Sequence, residues 1–258
     1  MLKRCFGLFN ILLLVVFFQS HMADAKTPDE RADITPLKAI SHENTVFFSG
    51  AWLERFMQKD EVHLEVPIVK QLPELARGCE VTSLAMLLKD AGVRADKMTL
   101  AKQIKKDHVP YKNEGGKIRF GNPNKGFVGS LYSFQKPGLG VYHGPVANLA
   151  KKYIGERTLD ISGRSFQAVL SQLSIGKPVW VIVTSTYEPL KKEDWETWQT
   201  PSGSIKVTYY EHSVLITGFD SKYIYFNDPL SGKKNRKAAR EPFIAAWKQM
   251  GSQAISYK

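Results

Sequence analysis

Cysteine is almost missing from this chain: of its 258 residues only Cys5 and Cys79 carry a thiol. No CxxC or HxxxH spacing occurs, and the histidines at 42, 63, 108, 143 and 212 are scattered. A catalytic zinc centre needs about three converging protein ligands, so metal chemistry is not expected. Gly115-Gly116-Lys117 lacks the Ser or Thr that completes a phosphate-binding loop and does not lead from a strand into a helix, which argues against nucleotide binding. No internal repeat or low-complexity tract is present. Beyond the N-terminus no apolar run is long enough to suggest a membrane span.

What the N-terminus does contain is a charged start, Lys3-Arg4, and a nearly unbroken apolar run from Phe6 to Phe18. These are the n- and h-regions of a secretory signal, and Ala23-Asp24-Ala25 supplies the small residues of a cleavage site after Ala25. The run falls short of the roughly 20 residues of a spanning helix, so an uncleaved anchor is the weaker alternative. Cys5 precedes the run, where no lipoprotein signal would place it. The layout expected is a signal peptide over residues 1–25, a tether and extension over 26–60, and one domain over 61–258. The protein is expected to be secreted or associated with the cell surface, with no integral membrane segment after cleavage.

The formal net charge is +11, and it falls to +10 once Lys3, Arg4 and Asp24 leave with the signal. Lys102, Lys105 and Lys106 form one basic cluster; Lys233, Lys234, Arg236, Lys237 and Arg240 form another. Such a surface attracts anionic wall polymers, phospholipid or nucleic acid. The plainer reading is a solvated face that keeps the protein soluble, and no nucleic-acid partner is expected.

Residues 26–44 are polar, with two prolines and no sustained apolar period, as a tether would be. Residues 45–59 hold Val46-Phe47-Phe48 and Trp52-Leu53, read as a strand and short helix packed on the domain. Residues 64–69 alternate like a strand. Over residues 79–88, Val81, Leu84, Ala85 and Leu88 repeat with helical spacing, and Gly92 follows as a stop signal. Further helices are expected over 99–106, 145–153 and 165–173, with a long irregular segment over 108–144. Residues 178–184 (PVWVIVT) read as a strand buried on both sides. A loop carrying Trp195 and Trp198 follows, then strands over 205–219 and 223–228 around a turn at Asp220-Ser221-Lys222. Helices early and antiparallel strands late make an α+β arrangement.

Once Cys5 is removed, Cys79 is a lone thiol in an exported protein. Composition alone leaves two readings open, a buried inert side chain and a nucleophile. Its place at the first turn of a helix favours the second, because unpaired N–H groups and the helix dipole stabilise a thiolate. In the hairpin around residue 221, positions whose numbers sum to about 440–442 face each other, which brings His212 close to Asp228. An aspartate there fixes the imidazole tautomer and leaves the other ring nitrogen for a thiol. A plain strand histidine beside a turn-forming Asp228-Pro229 is the rival reading. Gln71, just upstream of the helix, offers an amide that with the Cys79 N–H could line an oxyanion hole, although a loop glutamine is more often merely solvated. Glu80 is read more simply as a helix cap than as a substrate contact, His143 as a loop histidine rather than a cleft residue, and Trp195 and Trp198 equally as groove wall or hydrophobic cover.

The run VPIVKQLPELARGCEVTSLAMLL, with the later EHSVLITGFD and IYFNDPLSG, resembles the peptidase family typified by bacteriocin-processing, double-glycine-cleaving peptidases. It is more similar to their free-standing exported relatives in the papain-like clan. The resemblance implies a papain-like α+β fold, with an N-terminal helical part that carries the nucleophile helix and a C-terminal twisted antiparallel sheet. It implies a catalytic triad of Cys79, His212 and Asp228, with Gln71 in the oxyanion hole, cleaving peptide bonds through an acyl-enzyme without metal or cofactor. The implied partner is a peptide or protein substrate. Cell-wall stem peptides or cross-bridges are an alternative substrate, and a surface-binding protein that no longer catalyses is an alternative of another class.

Overall fold

A computed structural model of the chain describes residues 59–258. The expected signal peptide, the tether and the aromatic strand and helix over 45–59 fall on residues 1–58 and so lie outside the described residues, apart from Lys59. Contacts divide the chain into residues 1–47 and residues 48–258, and every described residue belongs to the second unit.

Seven strands build the main sheet: β1 (Val62–His63), β2 (Thr158–Asp160), β3 (Val179–Thr184), β4 (Glu211–Phe219), β5 (Tyr223–Asp228), β6 (Lys233–Ala239) and β7 (Ala254–Tyr257). Their order is β6-β5-β4-β3-β7-β2, with every neighbouring pair antiparallel. β3 pairs with β4 only from Glu211 to Ile216, and β1 continues the same edge opposite Gly218 and Phe219. A smaller sheet joins Lys112–Glu114, Lys117–Arg119, Glu196–Thr200 and Gly203–Val207.

The helices are α1 (Cys79–Asp90), α2 (Lys97–Gln103), α3 (His143–Ile154), α4 (Phe166–Ser174) and α5 (Arg240–Gln249). Alternation along β3 decides which of them it touches. Trp180 and Ile182 join a cluster with Val81, Leu84 and Leu88 of α1 and Val146 and Leu149 of α3. Val179, Val181 and Val183 join Leu170 and Leu173 of α4 and Phe243 and Trp247 of α5 on the opposite face. Every residue of β3 is buried, as its continuous β-branched run implies. The α+β architecture expected from the sequence is present, with helices on both sheet faces.

Several boundaries differ from the sequence reading, each for a local reason. Beyond β1 the Leu64 N–H still bonds Thr217 O at 2.7 Å, but residues 65–69 form no strand, and Pro67 has no N–H to give one. The second helix starts at Lys97 because Asp96 accepts the N–H groups of Met98 and Thr99, both at 2.9 Å. The strand expected over 205–219 is two strands in two sheets, broken at Thr208-Tyr209-Tyr210. α5 and β7 were not foreseen. The end of α1 matches expectation. Gly92 adopts φ +82°, its N–H bonds Lys89 O at 3.1 Å, and the Val93 N–H bonds Leu88 O at 2.9 Å, the paired bonds of a Schellman stop.

Leu87 of α1 is fully buried in the cluster that joins the helices to the sheet. Leu87→Ala should lower the unfolding free energy by about 2–5 kcal/mol, seen in urea titration as a reduced midpoint at unchanged slope.

Candidate active site

Cys79 is the first residue of α1, behind Gly78, which has no side chain with which to cap the helix. The helix start is pinned to the sheet from two directions. Trp180 Nε1 donates to Glu80 O at 3.0 Å, and Ser83 Oγ donates to Ser213 O at 3.1 Å. The cysteine is buried, with 8% of its surface exposed. Its sulfur takes the Ser213 backbone N–H, and its S–H points to Glu80 Oε2 at 3.4 Å. The thiol is not depressed in this arrangement, contrary to the sequence expectation. Burial first, then the charges of Glu80 and Glu211, push it well above the ordinary range, and the Ser213 N–H opposes them only in part.

His212 sits in β4 beside the residue that meets the cysteine sulfur, and is 3% exposed. Its Nε2 lies 2.9 Å from Asp228 Oδ1, so Nδ1 is the ring nitrogen left for other use. The facing register lies at the upper edge of the expected range. Leu215 pairs with Asn227 and Ile216 with Phe226, a sum of 442, and a bulge between Ile216 and Gly218 raises the sum beyond it. Continued one residue past Leu215 and Asn227, this register sets Asp228 opposite Val214, so His212 reaches it on the diagonal along the same face.

Asp228 accepts from every side. His212 Nε2, Leu230 N (3.0 Å) and Ser231 N (3.4 Å) converge on Oδ1. Tyr187 Oη (3.1 Å), Ser231 Oγ (2.7 Å) and Arg236 Nη1 (2.6 Å) converge on Oδ2. Burial alone would raise this carboxyl, but the bonds and charge of His212 with those of Ser231 and Arg236 outweigh it and hold the group far below the usual carboxylate range. Arg236, one of the cluster read as solvated surface, is therefore part of this network, as is Tyr187; neither was singled out in the sequence for a role at the site.

Gln71 is 2% exposed and fixed at both ends of its backbone: its N–H donates to Pro229 O at 2.9 Å, and its carbonyl accepts from Lys97 Nζ at 2.9 Å. Its Nε2 donates to Ala76 O at 3.0 Å, and its Oε1 is buried without a partner. The loop glutamine is thus a structured group joined to the turn after Asp228.

Glu80 is not merely a cap. Its carboxyl accepts its own N–H and the Val141 N–H (2.6 Å to Oε1) as well as the Cys79 thiol, and it is fully buried. Glu211, which the sequence reading passed over, brings its carboxylate to the same place, and ligating atoms of Cys79, Glu80 and Glu211 all lie within 4.8 Å of one another. A Cβ on Gly140 would collide with Glu80 Oε1 and come within 2.7 Å of Glu211 Oε2, so only glycine lets the chain pass over the two carboxyls. This is the only cluster of metal-ligand type among the described residues. With one thiol and no imidazole it lacks the histidine-containing sets of catalytic zinc.

His143 begins α3 and pairs with Asp160 at 2.7 Å. With Trp195, Tyr142, Gln249 and Gln253 it lines a cavity of about 280 Å³ that none of the four sequence-derived site residues lines. Trp198 is core, packed with Phe120, Val128 and Val207. Of the expected residues, the structure joins His212 to Asp228 directly, Cys79 to the backbone of Ser213, and Gln71 to the turn behind Asp228.

A buried helix that begins at a cysteine, packed on an antiparallel sheet that carries a His-Asp pair, is the papain-like arrangement, and the class of protein is cysteine-peptidase-like. The chain belongs to the Peptidase_C39 like family, whose model matches residues 63–255. It is 45% identical over 247 residues to the uncharacterized protein YvpB of Bacillus subtilis (strain 168), covering 95% of this chain and 94% of that one. It is also similar to a crystal structure of a candidate C39-like peptidase from Bacillus anthracis. There the identity is 46% and the TM-score 0.72, over 78% of this chain and 98% of that chain.

The Leu230 and Ser231 N–H groups at Oδ1 and Arg236 at Oδ2 can only donate, so an amide in its place turns an NH2 toward a donor whichever way it faces. Asp228→Asn should cost roughly 2–4 kcal/mol of stability at neutral pH by urea denaturation. Because the native carboxyl titrates below its unfolded value, the stabilisation is complete above about pH 4 and lost as pH falls further. The difference between wild type and variant should therefore be flat from about pH 5 to 8 and shrink in acid. A difference that grew in acid would contradict this account of the network.

Proposed function

We propose that this protein is an exported cysteine peptidase whose nucleophile is Cys79, with His212 as its base and Asp228 as the group that orients the base. The observation that carries the reading is the His212 Nε2 bond to Asp228, formed while the cysteine sulfur rests against the N–H of the residue after His212. That contact leaves Nδ1 for the thiol. The reading requires the Cys79 side chain to turn from Glu80 to the imidazole before it reacts.

His212 then takes the thiol proton, and the thiolate attacks the scissile carbonyl carbon. The oxyanion that forms meets the Cys79 N–H at the helix start and an amide N–H of Gln71. Only one of the two hydrogens on Gln71 Nε2 is used by Ala76 O. The tetrahedral intermediate expels the amine, which takes its proton from the imidazolium, and water attacks the remaining thioester with His212 now acting as base. Asp228, held ionised by its donors, stabilises the imidazolium throughout.

Export rests on the signal read over residues 1–25, which puts the mature N-terminus at Lys26. Mass spectrometry of the protein recovered outside the producing cell should find that terminus. Peptide-library cleavage should be lost in Cys79→Ala and His212→Ala. Gln71→Ala should lower kcat by about 10²–10³-fold while Cys79 remains alkylatable, as expected on loss of one oxyanion donor. Cleavage that survives Cys79→Ala would end the reading of Cys79 as nucleophile, and a biological activity left unchanged by Cys79→Ala would favour a binding role on the same scaffold. The net charge of +11 gives a wall-peptide substrate some support. Digestion of purified wall beside casein and Gly-Gly peptides separates the two substrate classes.

A further inference from the structure

The environment of Cys79 poses a difficulty for any thiolate mechanism. The sulfur lies against two carboxyls, and no lysine, arginine or histidine forms an ion pair with either of them among the described residues. Glu80 is wholly buried on α1. Glu211 reaches it from the first residue of β4, and its Oε1 is out of solvent with no hydrogen-bond partner. The backbone closes over both at Gly140, where no side chain fits. The groups that face the pair are the Cys79 thiol from α1, the Val141 N–H, and the Tyr142 hydroxyl from the segment ahead of α3. None supplies a positive charge.

Two carboxyls so placed cannot both ionise; one proton is shared between them, and the pair titrates as a unit. We propose that Glu80 and Glu211 form a proton-sharing carboxyl pair that gates the nucleophile: singly ionised it keeps the Cys79 thiol protonated, and fully protonated it permits the thiolate–imidazolium state. The inference rests on reading Cys79 as the nucleophile, and it places the reactive form of the site on the acid side of neutrality.

The direction follows from the charges. Burial, with the charge of Glu80 acting on Glu211, raises both carboxyls above the ordinary range, so the fully protonated pair gives up its first proton only as pH rises toward neutrality. The negative charge that remains then stands beside the sulfur. At an effective dielectric of about 20, a unit charge about 5 Å away moves an ionisation by about two pKa units, or about 100-fold in thiolate. When the pair is neutral that penalty vanishes, His212 is cationic, and Glu80 can donate a hydrogen bond to the sulfur instead of accepting one.

The test uses the full chain and the rate of Cys79 alkylation by iodoacetamide, read by mass spectrometry of the Cys79 peptide from about pH 4.5 to about pH 8. Glu80→Gln/Glu211→Gln keeps the shape and removes both ionisable groups, so no charge of the pair remains beside the sulfur at any pH. It should react roughly 10- to 100-fold faster than wild type near pH 7.5, and the ratio should close toward one near pH 4.5, where the wild-type pair is already neutral. A variant that only loosens the fold would change the rate by a factor independent of pH, and that result overturns the proposal, as does a variant slower than wild type throughout. Alkylation requires no turnover, so a protein that cleaves no peptide still gives the ratio, and failure of the peptidase reading is told apart from failure of this one. If Glu80→Gln/Glu211→Gln does not fold, infrared spectroscopy of the wild type in D2O decides. A carboxylic-acid carbonyl band should persist at about pH 7, where exposed carboxyls are ionised, and its absence overturns the proposal.

Discussion

A buried carboxylate must be surrounded by donors or it will not stay charged, and the geometry of this site follows from the way Asp228 meets that demand. Its two oxygens draw together His212 from β4, Tyr187 from the turn after β3, Arg236 from β6 and the backbone of residues 230 and 231. The same turn accepts the Gln71 N–H at Pro229 O. Neighbouring Asn227 ties it further, donating to Val66 O at 2.8 Å and accepting from Asn235 N at 3.1 Å. The strand that carries the imidazole and the loop that carries the glutamine are thus hung on one ionised group.

The other wall of the cleft obeys the opposite rule. Glu80 is buried as Asp228 is and Glu211 partly so, but the donors around them are one thiol and a few backbone N–H groups rather than an arginine and an imidazole. Carboxyls in the two surroundings are driven apart in acidity, one far down and two up. That divergence lets one site hold a permanent anion beside the imidazole and a titrating pair beside the sulfur.

Much of this was legible in the chain, and the failures have identifiable causes. The apolar period after Cys79 and Gly92 marked α1 because a buried helix writes its contacts at 3.6-residue spacing and ends where φ turns positive. β3 was legible because a strand buried on both faces has nowhere to place a polar residue. The hairpin sum beside the site fell within the expected range, but a range fixes the facing residue only to within about two positions, and the bulge that shifts the register leaves no mark in composition. The break at Thr208-Tyr209-Tyr210 was hidden by residues that favour strands. Glu211 went unread because a charged residue at a strand start is normally solvated. The available signal was that an acidic residue adjoins both Cys79 and His212 in sequence, so a fold that joins the start of α1 to the start of β4 brings those acids along.

The chain's overall positive charge does not soften this. Charges on the surface are screened over about 8 Å at physiological ionic strength, whereas Arg236 acts on Asp228 through direct contact. The basic cluster that includes Arg236 therefore does two unlike things. Lys233 and Lys237 contribute to the outer field, while Arg236, one strand position from Lys237, fixes the ionisation of a buried acid. No cation of the same kind reaches Glu80 or Glu211 among the described residues. In a protein of net charge +11, the acids beside the nucleophile stand without a positive partner, and protons are what remain to neutralise them.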